Sequence, residues 1–334
     1  MMRIAILGAG NWGTTLGLLL AEKGIEVTLW EFYEDREQEL RRDRENKRFL
    51  PGFTFPPNLV STSSLCDAVL EKEMLVFAVP SHTLRSVLHH VKDCKIEEPL
   101  LVSVVKGIED ETFLRMSEVI KQSLPEKFGG NVVALSGPSI ANEVVRKMPT
   151  TVVVANKDLH VCREVQKIFS TSFFRVYTNE DTIGVELGGT VKNVIVIAAG
   201  ICDGMGLGAN TKSALLTRGL AEIKRFGVAN GAKEITFSGL SGIGDLMTTA
   251  FSKHSRNRFV GEELGKGRSL DEILEGMVMV AEGVRTTHSV KKLADKLKVD
   301  MPITNEVYSV LFEGKSPKQG VYDLMSRKLK GENW

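Results

Sequence analysis

The stretch AILGAGNWGTTLGLLLAEKG, residues 5–24, decides how the rest of the chain is read. An apolar, strand-like run leads into three glycines, Gly8, Gly10 and Gly13. A helix-like pattern over residues 11–23 follows, with Leu16, Leu19 and Leu20 on one face. Glycines at this spacing also serve in a purely structural tight turn, so the motif alone is weak. Its context is stronger: a strand before, a helix after, then a second strand, EVTLW at 26–30, followed by the acidic Glu31. In a dinucleotide-binding unit Gly8 permits the turn, Gly10 lets the backbone approach the pyrophosphate, and Gly13 lets helix pack on strand. The helix N-terminus then presents unpaired N–H groups and the positive end of its dipole to the phosphates. The loop reads as a cofactor cradle.

Working outward, five more apolar runs follow: MLVFAVP (74–80), LLVSVVKG (100–107), VVALSGP (132–138), TTVVVA (150–155) and FFRVYT (173–178). Helical patterns at 84–91, 113–122 and 161–169 lie between them. The charged stretch EDREQELRRDRENKRF (34–49) reads as a solvated helix and connector. Seven strands alternating with helices imply a mainly parallel, doubly wound sheet. After about residue 182 the periodicity turns helical, in segments such as GVELGGTVKNVIVIAAGICDGMG, TKSALLTRGLAEIKRFGVANG, SLDEILEGMVMV and TTHSVKKLADKLKV. The expected fold is therefore α/β: a Rossmann-like, doubly wound domain over residues 1–180, then an all-helical domain over 181–334.

Length and composition agree with two domains of a globular protein. The 334 residues are 43% apolar and 25% charged, with 43 basic and 42 acidic side chains and a net charge of +1. No global positive excess offers itself to nucleic acid or an anionic membrane, so any anion site must be local. Cys66, Cys94, Cys162 and Cys202 form no CxxC pair and read as reduced thiols of a cytosolic protein. The histidines show no metal-ligand spacing, and no metal is expected. The chain enters its first strand without a signal-like segment, and the apolar run VIVIAAGIC from Val194 is too short to cross a bilayer. A cytoplasmic location is expected.

Several polar groups sit where chemistry is plausible, each with a bland alternative. Lys192 lies in a nearly uncharged helical stretch; it either snorkels to water or acts as a base whose pKa burial and nearby cations depress. Lys106 follows a strand directly, at a carboxyl end where doubly wound sheets bind ligands, yet an ordinary loop lysine looks the same. In SGPS (136–139), Ser139 offers a hydroxyl or a helix cap. HSRNR (254–258) is either a solvated charge run or an anion site built from a forked guanidinium with hydroxyl and amide donors. Asp245 either caps the helix that follows or serves a site.

Eight motifs arrive in one order: GAGNWGT (8–14), VPSH (79–82), KGIE (106–109), SGPSIANEV (136–144), IGVELGGTVKN (183–193), SGIGDLMTT (241–249), HSRNR (254–258) and EGVRTT (282–287). Together they make the chain resemble the bacterial NAD(P)-dependent sn-glycerol-3-phosphate dehydrogenases over nearly its whole length. The resemblance implies hydride transfer between nicotinamide and the pair sn-glycerol 3-phosphate and dihydroxyacetone phosphate, supplying glycerol phosphate for phospholipids. It implies that Lys192 is the catalytic proton acceptor, that Asp245 orients it, and that Lys106 touches both substrate and cofactor and lowers the pKa of Lys192. Substrate contacts then fall to Gly137, Ser139, Asp245, Ser255, Arg256 and Asn257. Cofactor contacts fall to Asn11, Trp12, Ala141, Arg256, Val280 and Glu282 beside the loop glycines. Relatives often carry Thr at position 139 and Ser at position 11. A homodimer follows by analogy alone.

Glu31, at the end of the second strand, can accept hydrogen bonds from the adenosine ribose, and Phe32 offers no donor to a 2′-phosphate. NAD is therefore favoured over NADP, although Arg36, Arg41, Arg42 and Arg44 lie downstream and can fold back. Two other readings compete. A β-hydroxyacid dehydrogenase shares the two-domain plan and a lysine but binds a carboxylate, which HSRNR and SGIGDLMTT argue against. A non-catalytic NAD(H) sensor needs no proton acceptor, so Lys106, Lys192 and Asp245 together argue against it.

Overall fold

A computed structural model describes residues 2–277 and 281–332. Its first half is one eight-stranded sheet: β1 (Arg3–Leu7), β2 (Glu26–Trp30), β3 (Leu59–Thr62), β4 (Met74–Phe77), β5 (Leu100–Ser103), β6 (Val132–Ser136), β7 (Thr150–Ala155) and β8 (Phe174–Asn179). The spatial order is β3-β2-β1-β4-β5-β6-β7-β8, and every pair is parallel except β6 with β7. All four residues of β4 are buried, as a strand covered on both faces demands. Helices α1 (Asn11–Glu22), α2 (Glu34–Asp43), α3 (Leu65–Val69), α4 (Leu84–Asp93), α5 (Met116–Ser123), α6 (Ala141–Val144) and α7 (Leu159–Phe169) connect the strands. One core packs Leu16, Leu20 and Phe169 against one face of the sheet, and a second packs Leu84, Leu88 and Ile120 against the other.

The strand order reverses between β1 and β4, so the crevice at their carboxyl ends is where an open sheet of this kind accepts a ligand. The glycine loop leaves β1 into that crevice, and Pro80 and Ser81 leave β4 into it.

The second half holds α8 (Thr182–Gly204), α9 (Ala209–Ala229), α10 (Asp245–Phe251), α11 (Arg256–Gly265), α12 (Leu270–Glu275), α13 (Glu282–Leu297), α14 (Pro302–Phe312) and α15 (Pro317–Met325). Every residue of α8 from Gly184 to Cys202 is buried, with α9, α10, α11, α13 and α14 packed around it. This helix extends well beyond the short apolar run seen in the sequence. It is long and apolar enough to cross a membrane, but protein covers it.

Three expectations need correction. The sheet has eight strands, not seven. The missed β3 is a four-residue edge strand with Val60 exposed, so it lacks the continuous apolar signature of a buried strand. The cysteines are not all reduced: Cys66 and Cys94 form a disulfide. Their separation of 28 residues in the chain hid that α3 and the C-terminal end of α4 lie side by side. Cys162 and Cys202 are free and buried. The helix expected from residue 113 starts at Met116, because Phe113 takes a left-handed conformation, φ 59°, and Arg115 caps the helix.

Candidate active site

The glycine loop is built as its spacing demands. Gly8 has φ 119°, and a side chain there would strike the backbone of Ala78 at 2.8 Å. A Cβ on Gly13 would lie 2.0 Å from the Gly8 carbonyl oxygen, so helix and loop touch only because Gly13 has no side chain. Asn46 pins the loop from outside the motif: its buried amide donates to the Ala9 carbonyl and to Thr14 Oγ1, both at 2.8 Å. No glycine spacing points to Asn46, and the sequence reading missed it.

The residues at the loop fit a dinucleotide's phosphates. α1 begins at Asn11, so the N–H groups of its first turn have no acceptor within the helix. A Cβ built on Gly10 would meet nothing within 4 Å, which leaves the approach open. Asn11 Oδ1 is buried there without a protein partner. Trp12 turns inward and packs against Phe174, ring centroids 6.5 Å apart.

At the adenosine end, Glu31 is buried and accepts from the Tyr33 N–H at 3.1 Å. Burial pushes its carboxyl up, while Tyr33 and the nearby Arg36 and Arg48 pull the other way. Phe32 is 67% exposed. Of the four downstream arginines, Arg41 pairs with Glu37, Arg42 with Asp43, and Arg44 donates to the carbonyls of Phe55 and Pro56. Only Arg36 turns toward Glu31, its guanidinium over the Tyr33 ring at 4.1 Å. Arg48, which the sequence reading did not single out, lines the same small cavity with Glu31, Asn46 and Phe49.

The chemistry-bearing groups converge across the two halves. Lys192 is 3% exposed on α8, and its Nζ donates to Asp245 Oδ1 at 2.7 Å and to Thr249 Oγ1. Lys106, just beyond β5, donates to the other carboxylate oxygen of Asp245 at 2.6 Å. One buried carboxylate thus bridges two lysines. Burial brings the Lys192 ammonium down to about 7, and Lys106 pushes the same way against the pull of Asp245. Burial alone would raise the Asp245 carboxyl, but the two lysines hold it below its ordinary value. Asp245 does not cap α10: the preceding Gly244 holds the cap position without a side-chain bond. Thr249, one turn after Asp245, was missed as well; the signal was the i, i+4 spacing inside DLMTT.

Gly189 is what lets α8 reach the sheet. A Cβ there would lie 2.4 Å from Ser136 Oγ and 3.7 Å from the Lys106 side chain. Gly137 ends β6 in a positive-φ turn, and Pro138 packs beside Gly244, next to Asp245. Ser139 is half-buried and donates to the Gly137 carbonyl at 2.9 Å; Ile140, not Ser139, caps α6, which starts at Ala141.

The HSRNR segment opens α11. Ser255 is the N-cap, accepting from the Arg258 N–H at 3.2 Å. Asn257 is buried, and its Oδ1 accepts from the Gly283 N–H at 2.9 Å, tying α11 to the start of α13. Between them Arg256 is exposed, facing the field of Glu282. Glu282 in turn accepts from the Ser81 N–H at 3.0 Å, across the halves. Burial pushes its carboxyl up, against Ser81, Arg256 and Lys106. The glycine loop thus touches Ala78, Ser81 donates to Glu282, whose field reaches Arg256 and Lys106, and Lys106 and Lys192 meet on Asp245. Val280 lies outside the described residues.

A doubly wound sheet with a phosphate loop at its switch point, closed by a helical half that contributes a buried lysine, defines a dinucleotide-dependent dehydrogenase of the two-domain kind. Family models agree on which one. The NAD-dependent glycerol-3-phosphate dehydrogenase N-terminus matches residues 3–162, and the C-terminus of the same family matches residues 181–322. The chain belongs to the NAD-dependent glycerol-3-phosphate dehydrogenase family. It is 51% identical to a glycerol-3-phosphate dehydrogenase [NAD(P)+] of Chlorobium limicola over 331 residues, 99% of each chain. A relative of the same name from Syntrophotalea carbinolica is 49% identical, over 99% of each chain. The crystal structure of glycerol-3-phosphate dehydrogenase from Coxiella burnetii superposes with a TM-score of 0.93 at 37% identity, covering 98% of this chain and 99% of that one.

Proposed function

We propose that the protein interconverts sn-glycerol 3-phosphate and dihydroxyacetone phosphate with NAD(P), supplying glycerol phosphate for phospholipid synthesis. The observation that carries this reading is the Asp245 carboxylate held between Lys106 and Lys192 in the crevice beyond the phosphate loop. When bound, the nicotinamide supplies or accepts the hydride. Lys192 does the proton work: as the neutral amine it takes the proton from the C2 hydroxyl, and as the ammonium it returns one to the carbonyl oxygen. A group titrating at about 7 serves both directions near neutrality. Asp245 orients Lys192, and Lys106 stabilises negative charge on the substrate oxygen.

Arg256, with Ser255 and Asn257 at the N-terminus of α11, takes the substrate phosphate, as a forked cation at a ten-residue helix's positive end suits a dianion. Gly137 and Ser139 line the substrate side. Gly8, Gly10, Asn11, Trp12, Gly13, Glu31, Phe32, Ala141 and Glu282 line the cofactor side, with Lys106 and Arg256 touching both ligands. Residues 1–180 are the cofactor domain and 181–334 the substrate domain. The working form is a cytoplasmic homodimer. In the cytoplasm the Cys66–Cys94 pair would be held reduced, so alkylation of freshly lysed cells should label both thiols; a blocked pair would argue against that compartment. Turnover of dihydroxyacetone phosphate with NADH or NADPH, followed by loss of the reduced nicotinamide absorbance, tests the activity. Absence of turnover with both nucleotides would defeat the reading.

A further inference from the structure

Away from the crevice, α4 and α5 enclose a groove of about 570 Å³ lined by Arg85, Ser86, His89, Lys92, Gln122 and Ser123. These groups share a chemistry. Two are cations, one is an imidazole, two are hydroxyls and one is an amide; no carboxylate is among the described residues lining it. Arg85, Ser86, His89 and Lys92 fall three and four apart on α4, so they share one helix face. Ser123, at the edge of the groove, keeps its Oγ buried without a hydrogen-bond partner. Gln122 Oε1 is taken by Arg85 Nη2 at 2.7 Å, which turns its amide NH2 to what it can offer.

The groove is wired to the crevice. Arg85 holds Glu109 in a two-point pair, Nε to Oε1 at 2.7 Å and Nη2 to Oε2 at 2.8 Å. Glu109 stands three residues after Lys106, on the same loop out of β5. That pair holds the Glu109 carboxyl below its ordinary value. A dianion entering the groove competes with Glu109 for the same guanidinium, and what Arg85 releases is the loop that presents Lys106 to Asp245.

We propose that the α4–α5 groove binds a phosphate monoester and that its occupancy is relayed through Arg85 and Glu109 to Lys106. Lys92 supplies charge, His89, Ser86 and the Gln122 amide supply directed hydrogen bonds, and Arg85 is a positioning residue for the Lys106 loop. A phosphorylated metabolite distinct from the substrate can thereby tune turnover without entering the crevice. The relay rests on the dehydrogenase reading above; the binding does not.

Inorganic phosphate is the probe, titrated at constant ionic strength with chloride as the control. Calorimetry on Arg256→Ala saturated with NADH, whose glycine loop is then filled and whose substrate side no longer grips phosphate, should still show one phosphate bound. Adding Lys92→Glu to that variant should weaken the remaining site about tenfold or more, as loss of a charge-assisted contact and gain of a repulsive one predicts. No binding in Arg256→Ala, or binding that Lys92→Glu leaves unchanged, overturns the site. Kinetics then read the relay: at saturating dihydroxyacetone phosphate, added phosphate should change kcat at least twofold in the wild type. Lys92→Glu should keep the basal kcat and lose the response. A wild-type kcat indifferent to phosphate overturns the relay. Because calorimetry needs no turnover, failure of the groove and failure of the proposed activity give different results.

Discussion

Two buried carboxylates join the sheet to the helical half, and they are treated in opposite ways. Glu186 of α8 is fully served: Arg115 Nη1 donates to it at 2.5 Å, Ser117 Oγ at 2.6 Å and the Ser117 N–H at 2.8 Å. Asp245 is shared by two lysines and leaves a surplus positive charge in a buried place. A satisfied carboxylate of the first kind is a clasp. The second arrangement is costly in the empty protein, because a lysine with little access to water must share its counter-charge. What relieves that cost is an anionic ligand or loss of the Lys192 proton. The difference separates a group that holds the protein together from one kept ready for chemistry.

Removing the lysine gives the largest expected break in this comparison. Lys192→Ala should lower kcat by roughly 10²–10⁴-fold, the usual range for positioned proton transfer, with NADH affinity little altered. Retention of more than about a tenth of wild-type kcat would take Lys192 out of the role. The sign of the pH dependence follows from a Lys192 pKa of about 7. Oxidation of glycerol 3-phosphate needs the neutral amine, so its kcat/KM should rise as pH climbs through that value. Reduction of dihydroxyacetone phosphate needs the ammonium and should fall. Lys106→Met removes a cation that depresses Lys192 and should move the oxidation limb to higher pH; a limb that stays put would show that Lys106 does not set it.

Breaking the clasp should do the reverse. Glu186→Ala leaves the Ser117 donors and one end of the Arg115 guanidinium without their acceptor, although Arg115 keeps Glu118 at 2.6 Å, a loss of roughly 1–3 kcal/mol for buried donors left unsatisfied. Denaturant midpoints should fall while the pH profile of turnover keeps its shape. Glu186→Gln retains an acceptor for Ser117 and should cost less. If Glu186→Ala moved the pH profile instead, the division between clasp and chemistry would fail.

Arg256 lies between these extremes. It is exposed, so its loss should spare stability. Charge-assisted bonds contribute about 1.5–3 kcal/mol, so Arg256→Ala should reduce kcat/KM for dihydroxyacetone phosphate about tenfold or more. Unphosphorylated dihydroxyacetone should lose much less. Equal proportional losses would mean that Arg256 does not read the phosphate.

How much of this the sequence carried depended on the range of the interaction. The phosphate loop, β1 and α1 were legible because their signals are local: glycine spacing, an apolar run and a helical period within twenty or so residues. Lys106, Lys192 and Asp245 were each legible as candidates through motifs, and the resemblance implied that both Asp245 and Lys106 act on Lys192; that one carboxylate bridges both lysines depends on residues far apart in the chain. β3 was invisible because a short edge strand has no periodic signature. Asn46 was invisible because it serves the Gly8–Gly13 loop from a charged stretch with no motif. The Cys66–Cys94 pairing depended on helix packing that thiol spacing does not encode. Asn257 and Ser255 carry scaffold duties within a motif read as a solvated charge run or an anion site, neither of which includes such duties.

The smallest expected effect concerns the adenosine end, where charge is again contested. Glu31 is a buried acceptor suited to ribose hydroxyls, and its carboxylate repels a 2′-phosphate. Against it stand Arg36 and Arg48 on the walls of the same cavity, the two arginines there not tied up as Arg41, Arg42 and Arg44 are. Wild-type kcat/KM at matched salt should therefore favour NADH while still admitting NADPH. Partly exposed charges of this kind are worth about 0.2–1 kcal/mol, so Arg36→Ala or Arg48→Ala should each reduce use of NADPH by only a few fold and leave NADH nearly unchanged. Glu31→Gln should narrow the preference from the other side by removing the repulsion. Should the wild type prefer NADPH, the ranking of these charges inverts: the arginines, not Glu31, would set the choice, and their alanine variants would then show the larger loss.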